Sequence, residues 1–312
     1  MVSNGLILLP GAILPGKGSN PADFQPMARR FSAPYQSEPV SSLASWARNL
    51  AVFSIVAVLV SIFIVRFGFL EVKPALATFF GALGCAGLSI LVGLAAFVAI
   101  WQNGSRGMGR ILLALLIDAA ILAYPAYLGQ RAMALPAISD ITTDFANPPR
   151  YDVLVRLRPR GRSDYPGPAT AALQRQAYPD IVPLQLSVPA KAAYDAAMAV
   201  ATKRKWLLVD TRAPGPGRPA GVIEAVARTP IMGFRDDVVI RVSPQGADAA
   251  RVDVRSASRF GSHDFGANAS RVRALLEDID DASGNVKEPK AEPEEKKAEK
   301  KRPSNKKPEK KK

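Results

Sequence analysis

Apolar positions crowd into three long runs in the first half of the chain and into short alternating segments in the second. Leu50 to Val65 is nearly uninterrupted apolar sequence flanked by Arg48 and Arg66, with Trp46 where an interfacial aromatic belongs. Extended to Leu70, it predicts a membrane helix over 46–70. A second is predicted over 75–101 and a third over 111–128, each reaching the roughly 18 to 20 residues that cross a hydrocarbon core of about 30 Å. The first run does not read as a cleavable signal peptide, because the segment before it is long and no small-residue cleavage site leads into a soluble domain. Lys17, Arg29, Arg30, Arg48, Arg106 and Arg110 fall on one side of the spans, and Arg66, Lys73 and Arg131 on the other. This modest bias predicts a cytoplasmic N-terminus. An odd number of spans then puts everything after Leu128 outside the cytoplasm, with Tyr124 and Tyr127 at the outer interface.

Beyond the spans the period changes. Residues 129–180 are rich in Pro, Arg and Gly, and turn formers cluster between Pro159 and Pro168. They read as an extended arm across the domain surface, with one strand at Tyr151 to Leu157. The compact part is predicted over 181–282. Leu184, Leu186 and Val188 alternate as a strand, and Pro189 opens a helix that keeps apolar spacing to Lys203. Four strands follow at Trp206–Thr211, Gly221–Thr229, Asp237–Val242 and Arg251–Ser258, and a last helix runs over Ala269–Asp280. The order β-α-β-β-β-β-α predicts an α+β domain with a curved antiparallel sheet and helices against one face. A small apolar cavity between sheet and helix is a further expectation.

The ends carry little to bury. Residues 1–45 are expected to be disordered, and Met27, followed by Ala28, Arg29 and Arg30, offers an alternative start, so 1–26 are expected to be an over-extended reading of the gene. The formal net charge is +14, of which the run from Lys287 to Lys312 contributes +6 through twelve Lys or Arg against six Glu. Residues 283–312 therefore read as a disordered basic tail, either solvated or in contact with anionic lipid headgroups or envelope polyanions. The remainder is only mildly basic, which argues against a nucleic-acid partner. A single cysteine, Cys85, and a single histidine, His263, leave no intrachain disulfide and argue against a zinc centre. No phosphate-binding loop or dinucleotide fingerprint occurs, so no cofactor and no metal are expected.

Two intramembrane features stand out. Ala77, Gly81, Cys85, Ser89 and Gly93 recur every fourth residue, a ridge of small side chains that serves either packing within the bundle or homo-oligomer formation through the second helix. Asp118 lies about two turns into the third span, where an ionisable group is costly and should face protein. A structural hydrogen bond to Ser54, Ser61 or Ser89 is expected, with a proton relay as the alternative.

Polar chemistry is densest from Arg255 to Arg271, R-S-A-S-R-F-G-S-H-D-F-G-A-N-A-S-R. Here a strand with Arg255 and Arg259 on one face feeds a turn at Gly261 and Gly266, and Asn268 is placed to cap the last helix. One reading is a network of cross-strand charge pairs involving Asp236, Asp237, Arg241 and Asp253. The other is an anion site of Arg255, Arg259 and Arg271 with the amides after Asn268. Asp264 reads as a turn former or a partner of Arg271. Ser256, Ser258, His263 and Asp264 invite a hydrolase reading, but no nucleophile elbow accompanies them.

Together with Gly233–Val242 (G-F-R-D-D-V-V-I-R-V) and Asp140–Pro149 (D-I-T-T-D-F-A-N-P-P), this run resembles the bacterial Domain of Unknown Function 1499 family over the C-terminal half. The resemblance implies an envelope-facing domain of unassigned activity. The expectation is a multi-pass inner-membrane protein with a periplasmic binding or structural domain. The alternative is an enzyme acting on an envelope lipid or anionic glycan. A cavity lined by Asp144, Arg255, Asp264 and Arg271 would favour the enzyme, and a salt-bridged surface the binding domain.

Overall fold

The computed structural model describes residues 39–69, 72–158 and 164–284; of residues 1–45, expected to be disordered, those before 39 lie outside the described residues, as does the tail after 284, whereas residues 42–45 open the first helix. Three helices are long and apolar enough to cross a membrane: α1 (Ser42–Phe67), α2 (Val72–Asn103) and α3 (Met108–Ala134). Ser41 caps α1 by accepting from the Ala44 amide, and Gly68 closes it with φ 75°. All three start earlier than the apolar runs predict, and α3 continues past Leu128 to Ala134, because helix hydrogen bonding carries on into the polar flanks where hydropathy stops.

What the helices bury is small. α1 turns Ala44, Ala47, Ala51, Ser54, Val58 and Ser61 inward, alternating steps of three and four that make a left-handed packing seam. α2 meets it with Ala82, Ala86, Ser89, Gly93 and Ala96, while Phe53, Leu59, Phe63, Leu91 and Leu116 point outward. Lipid tails solvate large apolar groups as well as protein does, so close backbone approach decides which residues face in.

The domain is a six-stranded antiparallel sheet. Strands β3 (Leu207–Arg212), β4 (Gly221–Arg228), β5 (Arg235–Pro244) and β6 (Ala250–Ser258) form a meander. The outer edge of β6 is shared by two three-residue strands, β1 (Asp140–Thr142) beside 255–257 and β2 (Leu184–Leu186) beside 250–252. Helices α6 (Ala190–Lys203) and α7 (Ala267–Ala282) pack on one face of this sheet, over Ile223, Val238, Ile240, Val252 and Val254. From β2 onward the element order is the expected one.

The arm differs from expectation. Its first residues, up to Ala134, continue α3, and Asp140–Thr142 form β1, so the sheet gains a strand; α5 (Pro168–Ala177) follows where no periodicity is evident. Tyr151–Leu157, expected as a strand, crosses the opposite sheet face and forms a short helix, α4 (Leu154–Leu157). The cause is Glu224, fully buried on β4. Its carboxylate accepts from the amides of Asp152 (2.7 Å), Val153 (3.1 Å) and Leu154 (2.8 Å), the free donors of a helix start.

The domain rests on one end of the bundle. Met232, in the β4–β5 loop, is buried against Val65 and Ala75, and Arg66 Nη1 donates to Pro230 O at 2.6 Å. At α3, Arg131 Nε donates to Phe265 O at 2.8 Å.

Candidate functional site

Strand alternation sends neighbouring residues of β5 and β6 to opposite faces, and this divides the candidate residues into two networks. On the arm-covered face, Arg255 is 1% exposed. It grips Asp140 with two bonds (2.9 and 2.7 Å), donates to Pro149 O at 3.2 Å, and lies 4.7 Å from the ring centre of Tyr151. Burial pulls its pKa down, but the Asp140 bonds and the negative partners around it leave the guanidinium above its ordinary value. Arg259 and Arg158 both bind Asp237. Asp144 accepts from Arg241 (3.1 Å) and Arg251 (2.9 Å), which also bind Asp253.

The helix-covered face holds the second network. Asp236 pairs with Arg271, and Arg271 also donates to Ser256 Oγ at 2.9 Å and to the side-chain oxygen of Asn268. Ser256 Oγ donates to the same Asn268 oxygen at 2.7 Å, and the Asn268 amide nitrogen donates to Ser258 Oγ at 2.9 Å and to Ser139 O at 3.1 Å. Asn268 is therefore not the cap. It lies within α7, whose start is held by Asp264, accepting from the amides of Gly266 and Asn268 at 2.8 Å each. Burial pushes the Asp264 carboxyl above its usual range, against the pull of those amide bonds.

The anion site expected of Arg255, Arg259 and Arg271 is not assembled as one cluster: the first two lie on one face, the third on the other, and each guanidinium holds a carboxylate. The Asn268 amide itself donates to Asp264, and beyond it Ser270 N donates to Gly266 O within the helix. His263 does not reach Ser256 or Ser258. Its ring accepts from the Phe265 amide at 2.9 Å, stacks on Phe265 at 4.7 Å, and its other nitrogen lies 3.4 Å from Ala132 O on α3.

Residues outside the predicted set complete these networks. Tyr165 lies against Arg255, 5.6 Å from its guanidinium to the ring centre. Burial, with the charge of Asp140 next, pushes its hydroxyl up to about 12. Burial raises Tyr178 as well, with Asp264 adding to it, and among the described residues neither hydroxyl has a hydrogen-bond partner. Asp140 opens the Asp140–Pro149 stretch, but no spacing rule links it to a strand more than a hundred residues later.

Within the three-helix bundle, the serine that meets Asp118 is Ser89, 2.7 Å from Oδ2 and 3.0 Å from Ala47 O. The ridge splits: Ser89 and Gly93 lie in the seam, Cys85 is half-buried, and Ala77 and Gly81 face outward. Among the described residues no three His, Cys, Asp or Glu side chains converge as a metal site.

The β1 edge, the G-F-R-D-D strand and the β6–α7 turn thus form one continuous structure across the sheet. Residues 140–279 match the family model described as a protein of unknown function, DUF1499. No match was found among curated proteins. The DUF1499 segment begins at β1 and ends within α7, so the arm strand and its Arg255–Asp140 pair belong to the domain itself. The three apolar helices precede it.

Proposed function

We propose that this chain is a membrane-anchored envelope protein of the bacterial inner membrane, with its DUF1499 domain on the periplasmic face in a binding or structural role. The carrying observation is how basic residues divide between the two ends of the bundle. At the end away from the domain, Arg110 donates to Ser45 Oγ at 2.6 Å and the Arg106 carbonyl accepts from Ser41 N; with Arg48 they mark the cytoplasmic side. At the domain end, Arg66 and Arg131 bind carbonyls of the domain's own loops, so docking accounts for two of the three basic residues that would otherwise count against this orientation, and Lys73 is the third.

The binding or structural role is supported by the site's geometry. Asp144, Arg255, Asp264 and Arg271 line no common cavity, and each is held by protein partners. The envelope-lipid or glycan enzyme required them around one space. Contact of the basic tail with anionic headgroups or envelope polyanions, and self-association through the outward half of the α2 ridge, belong to the same proposal. A reporter active only in the cytosol, fused after Ile279, is expected to be silent in cells. Full reporter activity would overturn the topology and the envelope role with it.

A further inference from the structure

Where the bundle meets the domain, an open groove of about 470 Å³ runs between the α1–α2 end and the start of β5. Val65, Phe69, Val72, Phe234 and Phe260 make it apolar, and Arg235 and Arg259 supply charge. Arg259 is held by Asp237. Arg235 is exposed and, among the described residues, has no ion-pair partner. Directly opposite it in register on β4 is another arginine, Arg228, also without one. Arg66, whose carbonyl accepts from Arg228 at 3.3 Å, is the third such cation at this corner. Like charges facing each other across strands oppose pairing, and elsewhere on this sheet the arginines Arg212, Arg241, Arg251, Arg255 and Arg259 all hold carboxylates. The exception sits at one particular place. Phe63, Phe67 and Phe69 form an exposed ring cluster at the end of α1, with centres 4.5 to 6.3 Å apart, an apolar surface that lipid chains solvate, and it lies next to Arg66 and the charged corner.

We propose that this groove binds an anionic phospholipid, its glycerol and upper acyl chains against Phe69, Phe234 and Phe260 and its phosphate beside Arg235 and Arg228. The inference rests on the helices spanning a membrane. It is tested on the full chain in a non-ionic detergent by native mass spectrometry, titrating phosphatidylglycerol or phosphatidylcholine. Phosphatidylglycerol is expected to be retained in preference. Arg235→Gln should weaken it by about fivefold, the effect of one basic residue beside an anionic headgroup, and Arg235→Lys should keep most of it. Phe260→Asp should weaken both lipids, with unfolding temperatures of all variants unchanged. Equal retention of the two lipids by the native chain, or unaltered retention by Arg235→Gln, would overturn the proposal. So would displacement of the lipid by millimolar inorganic phosphate, which would assign a free-anion site instead. Carbonate extraction of membranes from cells making the same chain separates the two levels. A released chain refutes the membrane reading and this inference with it, whereas a retained chain with no lipid preference refutes the groove alone.

Discussion

Arg255 shows how buried charge organises the domain at the scale of single residues. Its guanidinium has left water for two carboxylate bonds, a carbonyl and an aromatic face, and such a pair stabilises only while both partners remain. Arg255→Ala should therefore cost about 3–5 kcal/mol, because it strands Asp140 in a site 6% exposed. Joint replacement by Arg255→Met and Asp140→Leu should recover most of that loss, since two uncharged side chains of similar bulk leave no unpaired charge. Thermal unfolding of the three proteins checks this, and a double variant as unstable as Arg255→Ala would argue against it. Alternation along β6 was enough to put Arg255 and Arg259 on one face. It could not supply their partners, and it left Arg271 on a helix whose side of the sheet local sequence does not specify. Asp264 and not Asn268 caps α7 for a related reason. Capping chemistry is shared by Asp, Asn and Ser, and the positive φ of Phe265 and Gly266 (54° and 79°) moves the helix start so that Asp264 reaches the free amides.

Among whole elements, the ridge on α2 illustrates how spacing misleads when it is slightly off the helical period. A step of four residues advances about 400° around a helix of 3.6 residues per turn, so four such steps from Ala77 to Gly93 rotate the ridge by about 160°. Its two ends thus face nearly opposite ways, whereas the alternating threes and fours of the seam stay on one side. A Cβ on Gly93 would meet Ala47 and Ile111 at 3.8 Å, and one on Gly81 meets nothing within 4 Å. Gly93→Leu is accordingly expected to lower the unfolding temperature of the chain in detergent. Gly81→Leu should leave it unchanged and, if the outward half of the ridge joins two copies, reduce the oligomer seen by analytical ultracentrifugation. Equal destabilisation by both would contradict the seam. The short helix α4 teaches the complementary lesson: its own residues alternate acceptably for a strand, and a buried carboxylate on another element turned them into a helix.

For the molecule as a whole, the bundle and the domain are joined through two loops, and the β6–α7 turn is the more sensitive. Gly266 has φ 79°, and a Cβ there would come within 2.8 Å of Arg131 Nη2 on α3 and 2.9 Å of Cδ1 of Leu135, the residue that ends it. Gly261 shares the positive φ, at 81°, but its nearest neighbours are only the backbone of His263. Both alanine substitutions carry the left-handed backbone strain of about 1–2 kcal/mol, so the additional loss of stability in Gly266→Ala over Gly261→Ala measures the docking of the turn on α3. Identical unfolding temperatures for the two variants would mean that the contact adds nothing. By itself, the sequence determined the three membrane-length helices, the strand and helix order after residue 181, and which side chains share a strand face, because hydrophobic period and turn chemistry are local properties of a few consecutive residues. Only the tertiary structure decided that the arm closes the sheet edge, which carboxylate each arginine takes, and that Arg228 and Arg235, which have no ion-pair partner among the described residues, face each other beside the bundle. Those outcomes depend on groups as much as 164 residues apart in the chain, whose meeting is set by how the whole polypeptide packs and not by any spacing along it.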